Sequence, residues 1–184
     1  MGNRGCLHDA HERIRRAWTV TRWIVCVLEF KGRRRPVMRP GHYTELFFLD
    51  EATALAAGHR PCAECQRERY VSFREHWAAA RGLDGRPSAD DMDAVLHAER
   101  VDEQGGKRTY RERLSRLPSG VVITEQAGHA HLLHDGALRP WSVAGYGTAR
   151  RVSGDPEVDV LTPRSIVHAI ARGYPATWHA SAES

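Results

Sequence analysis

The chain has 184 residues, 41% of them hydrophobic and 27% charged, with a mean hydropathy of −0.52 and a formal net charge of +4. That balance lies inside the globular range and excludes a disordered, collagenous or coiled-coil chain, and no apolar run approaches the ~18–20 residues of a membrane-spanning helix. The N-terminal charges are not followed by an apolar segment, so no secretory signal is read there and a cytoplasmic location is expected.

In chain order, Trp18 to Phe30 carries β-branched and aromatic residues and reads as one or two strands, with Trp23 to Leu28 buried on both faces. Lys31-Gly32 turns the chain into a basic run, Arg33-Arg34-Arg35-Pro36, that belongs in an exposed loop or on an edge strand. Tyr43 to Leu49 reads as a further strand. Asp50 is a good N-cap for a short helix over residues 51–57, and Gly58 suits the left-handed position that ends it.

The next helix is expected to start near Pro61 or Cys62 and to stop at Arg81-Gly82, with Tyr70, Phe73 and Trp77 on one apolar stripe. Residues 83–87, Leu-Asp-Gly-Arg-Pro, have linker composition. They suggest a boundary between a zinc-binding lobe, residues 1–82, and an α+β lobe, residues 88–184, unless the two form one domain. Ser88 then caps a helix bearing Met92, Val95, Leu96 and Glu99. Strands follow over residues 109–114, 121–124, 129–134 and 138–143, the last two joined by an Asp135-Gly136 hairpin turn. Thr162-Pro163 opens a last helix whose buried face is Ile166, Val167 and Ile170, and Gly173 ends it. The expected class is α+β.

Four cysteines, two as Cys62-x-x-Cys65 and two alone at Cys6 and Cys26, do not make the dense even spacing of a secreted disulfide scaffold. Reduced cysteines holding a metal are the expectation. A Cys-x-x-Cys at a helix start lets both sulfurs face one ion while the helix dipole favours the thiolates. A redox pair of the thioredoxin kind belongs after a strand, whereas here a helix comes first.

The stretch Phe47-Phe48 through Ala52, Ala54-Leu55-Ala56-Ala57-Gly58-His59-Arg60-Pro61-Cys62-Ala63-Glu64-Cys65 resembles the second half of the zinc-binding domain of the Ada DNA-alkylation-repair protein. The resemblance spans about residues 47–66. It implies Zn²⁺ at Cys62 and Cys65 and a domain that touches the DNA backbone. The family's other two ligands, an upstream Cys-x-x-x-Cys that includes its methyl-accepting nucleophile, have no counterpart here, where Gly32 to Val37 contains no cysteine. Methyl transfer by that route is therefore not expected. A structural zinc takes four ligands, so Cys26, on the strand before the basic loop, is the first choice for the third, and His42, Cys6, His8, His59 and His97 are candidates for the fourth.

Lys31 and Lys107 are the only lysines among 27 basic residues. Arginine's planar fork suits phosphate and its plane stacks on bases, although a coding bias toward arginine gives the same skew. Arg33, Arg34, Arg35 and Arg39, with Arg67 on the zinc helix, form the expected nucleic-acid face, for DNA more than RNA. The principal reading is a zinc-binding, nucleic-acid-binding protein with a mainly structural Zn²⁺.

The alternative is a zinc-dependent hydrolase or deaminase-like enzyme acting on a base or nucleotide. Pro61-Cys62-x-x-Cys65 is half of the zinc-deaminase signature and His97-Ala98-Glu99 spells the other half, in reversed order, with Glu99 as proton shuttle. His129 and His131, two residues apart on one strand, are a further metal candidate. No dinucleotide fingerprint, P-loop or serine nucleophile elbow occurs.

Overall fold

The computed structural model describes residues 1–32, 36–125 and 128–183. The fold is α+β, with two sheets and four α-helices among the described residues. No described helix is long and apolar enough to cross a membrane.

The N-terminal sheet is built from two-residue strands, β1 (Gly2–Asn3), β2 (Ile24–Val25) and β3 (Arg60–Pro61). β1 and β2 are antiparallel and β2 and β3 parallel. The expected strand over residues 18–30 shrinks to β2. Trp23 and Val25 are buried, but Val27 and Leu28 are exposed, so the apolar run is not buried on both faces. Residues 43–49 are likewise not a strand but a loop with one antiparallel bridge, Leu46 to Gly2. Neither segment has a neighbour along its full length, and an unpaired backbone gains nothing from β propensity.

Helix α1 (Glu51–Ala56) begins at Asp50, whose carboxylate accepts from the Thr53 N–H at 2.8 Å in a capping box. It ends at Gly58, where φ is +82° and a Cβ would lie 2.5 Å from Arg100 Cδ, so glycine is required on both counts. Helix α2 (Arg67–Ala80) starts five residues later than expected from Cys62, because Pro61 is spent in β3 and residues 63–66 form turns. Its stripe Tyr70, Phe73 and Trp77 is buried. Helix α3 (Ala89–Arg100) carries the Ser88–Asp91 capping box and buries Met92 and Leu96.

The larger sheet runs in the order β4 (Tyr110–Arg113), β10 (Glu157–Val160), β5 (Val122–Thr124), β6 (Ala130–His134), β7 (Ala137–Ser142), β8 (Gly145–Tyr146), with β9 (Arg150–Arg151) on β7. The β6–β7 hairpin turns on Asp135-Gly136, both at positive φ, as that dipeptide favours. β10 was not anticipated, although Glu157-Val158-Asp159-Val160 alternates as a strand should and buries both valines. Helix α4 (Arg164–Ala171) buries Ile166, Val167 and Ile170 and ends before Gly173. One hydrophobic cluster joins Leu55, Phe73 and Trp77 to Leu96, Ile123 and Ile166, so residues from both sides of 83–87 share a core.

Most ion pairs among the described residues are exposed, but one is buried. Arg60 and Asp93 form a bidentate pair at 3.1 and 2.6 Å, with both side chains buried, which locks β3 to α3. Three further cations converge on the C-terminal end of α1. Lys107 Nζ donates to Ala56 O at 2.7 Å, Arg4 to Ala57 O at 3.4 Å and Arg100 to Gly58 O at 2.7 Å. Ala56 O is a carbonyl that the helix end leaves without a partner, Ala57 O and Gly58 O follow directly after it, and positive charge suits this end of the helix.

The Lys107 stem is exposed while its ammonium turns inward. Burial, with Arg4 and Arg100 close by, lowers that ammonium from 10.5 to about 7. Below about 7 the folded and unfolded chains both carry the proton. Between about 7 and 10.5 the folded chain sheds a proton that the unfolded chain keeps, so stability rises with pH through that window. Lys107→Met is expected to flatten this rise, seen as denaturation midpoints at pH 7 and pH 9.5 that lie closer together than in the parent at equal metal loading.

Candidate metal centre

Parallel pairing of β2 with β3 sets the register Ile24 to Arg60 and Val25 to Pro61. Cys26 and Cys62 follow directly after the two strands. The Arg60 N–H donates to Trp23 O at 3.1 Å and the Cys62 N–H to Val25 O at 2.9 Å, so the ladder runs up to the cysteine itself. The turns over residues 63–66 then fold back, and Cys65 arrives beside the same point. Gln66 Nε2 pins that turn to Val25 O at 2.8 Å. The sulfurs of Cys26, Cys62 and Cys65 lie within 4.8 Å of one another. Cys62 is buried and the other two are partly buried.

Three thiols this close share their protons unequally. Cys26 donates toward Cys62, and the N–H groups of Cys65 and Glu64 add to it, the latter at 3.4 Å, so the Cys62 thiol falls to about 5. Cys26 moves the opposite way, because donating to Cys62 favours its protonated form and burial adds to this. Burial likewise raises Cys65. A metal ion replaces these shared protons, since each sulfur binds it as thiolate. The cluster can therefore hold a metal ion.

The cysteines lie on the wall of a cavity of about 770 Å³. Its other walls come from the segments before and after the basic run, including Leu28, Val37, Tyr43 and Phe47, with Glu45 and Glu64. Glu45 accepts from the Met38 N–H at 2.9 Å.

The other candidate ligands lie outside the cluster. Cys6 Sγ points to His8 O at 3.6 Å, and His8 Nδ1 meets Thr44 Oγ1 at 2.6 Å. His59 is fully buried between Trp23 and Phe48, and accepts at Nε2 from Arg4 at 3.3 Å. Burial, with Arg4 and Arg100 nearby, holds it well below the usual histidine range. His97 is edge-on to Trp18, with ring centroids 4.6 Å apart. His42 also lies outside the cysteine group.

Glu99 is engaged elsewhere. Its carboxylate accepts from the Ser165 N–H at 2.9 Å and Oγ–H at 2.7 Å, anchoring the start of α4. The deaminase-like arrangement, with His97 and Glu99 at the metal, is thus not formed by these residues. His131 meets the His129 carbonyl oxygen through Nδ1 at 3.0 Å, and the two form no metal group with any described third residue.

Of the expected nucleic-acid face, Arg33, Arg34 and Arg35 lie outside the described residues, and Arg39 and Arg67 are exposed. Two arginines further along α2 are engaged in packing. Arg69 is bound to Glu51, which also accepts from Tyr174 and Thr177, and Arg74 stacks over Tyr70 with its centre 5.5 Å from the ring. The cavity wall is what the sequence reading missed. Its signal was a set of large apolar residues in segments flanked by turns, which β propensity reads as strands.

Searches against protein families, curated proteins and solved structures find no match for the chain.

Cys62→Ser is expected to abolish metal uptake and to lose most of the folded population. Cys6→Ser, outside the cluster, is expected to keep one bound ion per chain. Metal content by elemental analysis and melting curves check both, and an equal loss in the two variants would remove Cys62 from its special place.

Proposed function

We propose that the chain is a zinc-binding protein in which Cys26, Cys62 and Cys65 hold one Zn²⁺ as thiolates and the ion's fourth position faces the cavity. The observation that carries this reading is the meeting of three sulfurs from two separate segments on a cavity wall. Clustered thiolate donors suit zinc better than the hard divalent ions magnesium and calcium. The resemblance of residues 47–66 to the Ada zinc-binding domain supports the same ion, with Cys26 in the place of an upstream ligand.

A zinc bound in this way has two effects. It ties β2 to the turn before α2, and structural zinc of this kind is worth on the order of 10 kcal/mol in small modules. It also presents a Lewis-acidic position to whatever occupies the cavity, which a site closed by four protein ligands does not.

X-ray absorption on zinc-loaded protein in thiol-free buffer is expected to give one Zn²⁺ with three sulfurs and one lighter donor. Four sulfurs would close the site and make the zinc purely structural. No bound zinc would remove the reading.

A nucleic-acid partner draws its support from the net charge of +4 and from exposed Arg39 and Arg67. Each phosphate neutralised adds about 0.9 to the slope of log K against log salt on duplex DNA. Replacing both arginines by alanine is expected to lower that slope by about 2. An unchanged slope in a binding titration would exclude them from the contact.

A further inference from the structure

We propose that the cavity beside the cysteines is a binding site for a small apolar thiol, whose sulfur takes the fourth position on the zinc. This rests on the zinc reading above and names the class of ligand for the same site.

Shape and wall chemistry give the apolar part. About 770 Å³ lies within the ~300–1,000 Å³ range of pockets that enclose a small organic molecule. Val27, Leu28, Phe30, Val37, Tyr43 and Phe47 make up its apolar part, beside polar positions that include Asn3, Glu45 and Glu64. Exposure singles out the same place. Of the nine large hydrophobic side chains exposed among the described residues, four line this one cavity: Val27, Leu28, Val37 and Phe47. Leu28 is 72% exposed and Phe47 63%. Apolar side chains scattered singly over a surface need no explanation, whereas a group of them around a concavity marks a place where something apolar sits.

The metal gives the sulfur. Three thiolates make a soft site, and a fourth sulfur completes the all-sulfur tetrahedron that zinc accepts most readily. The thiol R–SH binds as R–S⁻, its proton leaving to solvent, and no bond to carbon is made or broken. Wall and metal then select together. A polar thiol meets the ion but leaves the apolar part of the wall uncovered, and an apolar molecule without sulfur gains only the wall.

The test uses the full chain loaded anaerobically with Co²⁺, whose ligand-field and sulfur-to-metal charge-transfer bands report the donor set. Phenylmethanethiol and 2-mercaptoethanol, two thiols of similar acidity, are titrated separately. Both are expected to strengthen the charge-transfer band, with phenylmethanethiol binding about tenfold more tightly or better. Leu28→Glu and Phe47→Ser change exposed residues and are expected to erase most of that preference while leaving cobalt uptake and the 2-mercaptoethanol titration unchanged. Val143→Ser, 86% exposed and away from the cavity, is expected to change nothing.

Cobalt bound by three sulfurs with no spectral response to either thiol overturns the inference and leaves the zinc reading standing. So does equal affinity for the two thiols. Failure to bind cobalt at all overturns the zinc reading and this inference with it.

Discussion

Two rungs of parallel β pairing decide the chemistry of this protein. β2 and β3 are each two residues long, and parallel strands need a long crossover between them. Here the crossover is the whole stretch from Cys26 to His59, including α1 and the segments around the cavity. Its closure brings Cys26 alongside Cys62, and without it the Cys-x-x-Cys would be two sulfurs on a turn. So short a ladder cannot hold its own register by hydrogen bonds alone. It is held from behind by the buried Arg60–Asp93 pair, which fixes β3 to α3, and from the front by Gln66 bonding to Val25 O.

The same region concentrates positive charge where most proteins avoid it. Arg4, Arg100 and Lys107 converge on three successive carbonyls at the end of α1, beside a neutral, buried His59. Burying cations is costly unless their hydrogen bonds are made. The carbonyls at and just beyond the end of α1 supply partners for all three. The arrangement fixes the stretch from α1 to β3 so firmly that the cysteines which follow start from a determined position. At the other end of α1, Asp50 and Glu51 serve the C-terminal segment. Asp50 accepts from Tyr146 and His179, and Glu51 from Tyr174 and Thr177. The short helix is thus the joint between the small sheet, the large sheet and the C-terminal segment.

In the proposed zinc centre, function depends on what the ion's fourth position meets. The apolar wall sets this centre apart from a simple staple, because a staple has no need of large exposed hydrophobic residues around it. The fold holds the sulfurs just beyond the paired strand ends and in the turn that follows. It assigns the wall to the irregular segments on either side of the basic run, the usual division between rigid scaffold and adaptable recognition loops.

Local rules made much of this legible in advance. Asp50 and Ser88 as caps, Gly58 and Gly173 as stops, Asp135-Gly136 as a hairpin turn and the Tyr70, Phe73, Trp77 stripe all act through nearest neighbours along the chain. Cys62 and Cys65 were legible as a pair for the same reason, and Cys26 as their partner only by the need for a further ligand. The shrinkage of residues 18–30 and 43–49 into bridges and loops was not legible, because β propensity is realised only when a neighbouring strand is present, and that is a tertiary matter. The role of Glu99 was also hidden. A His-x-Glu spelling says nothing of which way the carboxylate points, and packing of α3 against α4 turned it to Ser165. The sequence by itself determined the helices, most of their ends and the thiol chemistry of the candidate metal donors, since these depend on backbone sterics and side-chain type; the start of α2 is the exception, because pairing with β2 draws Pro61 into a strand. Tertiary structure decided which cysteines meet and what lines the space beside them, because only closure of a long loop brings residues 26 and 62 together.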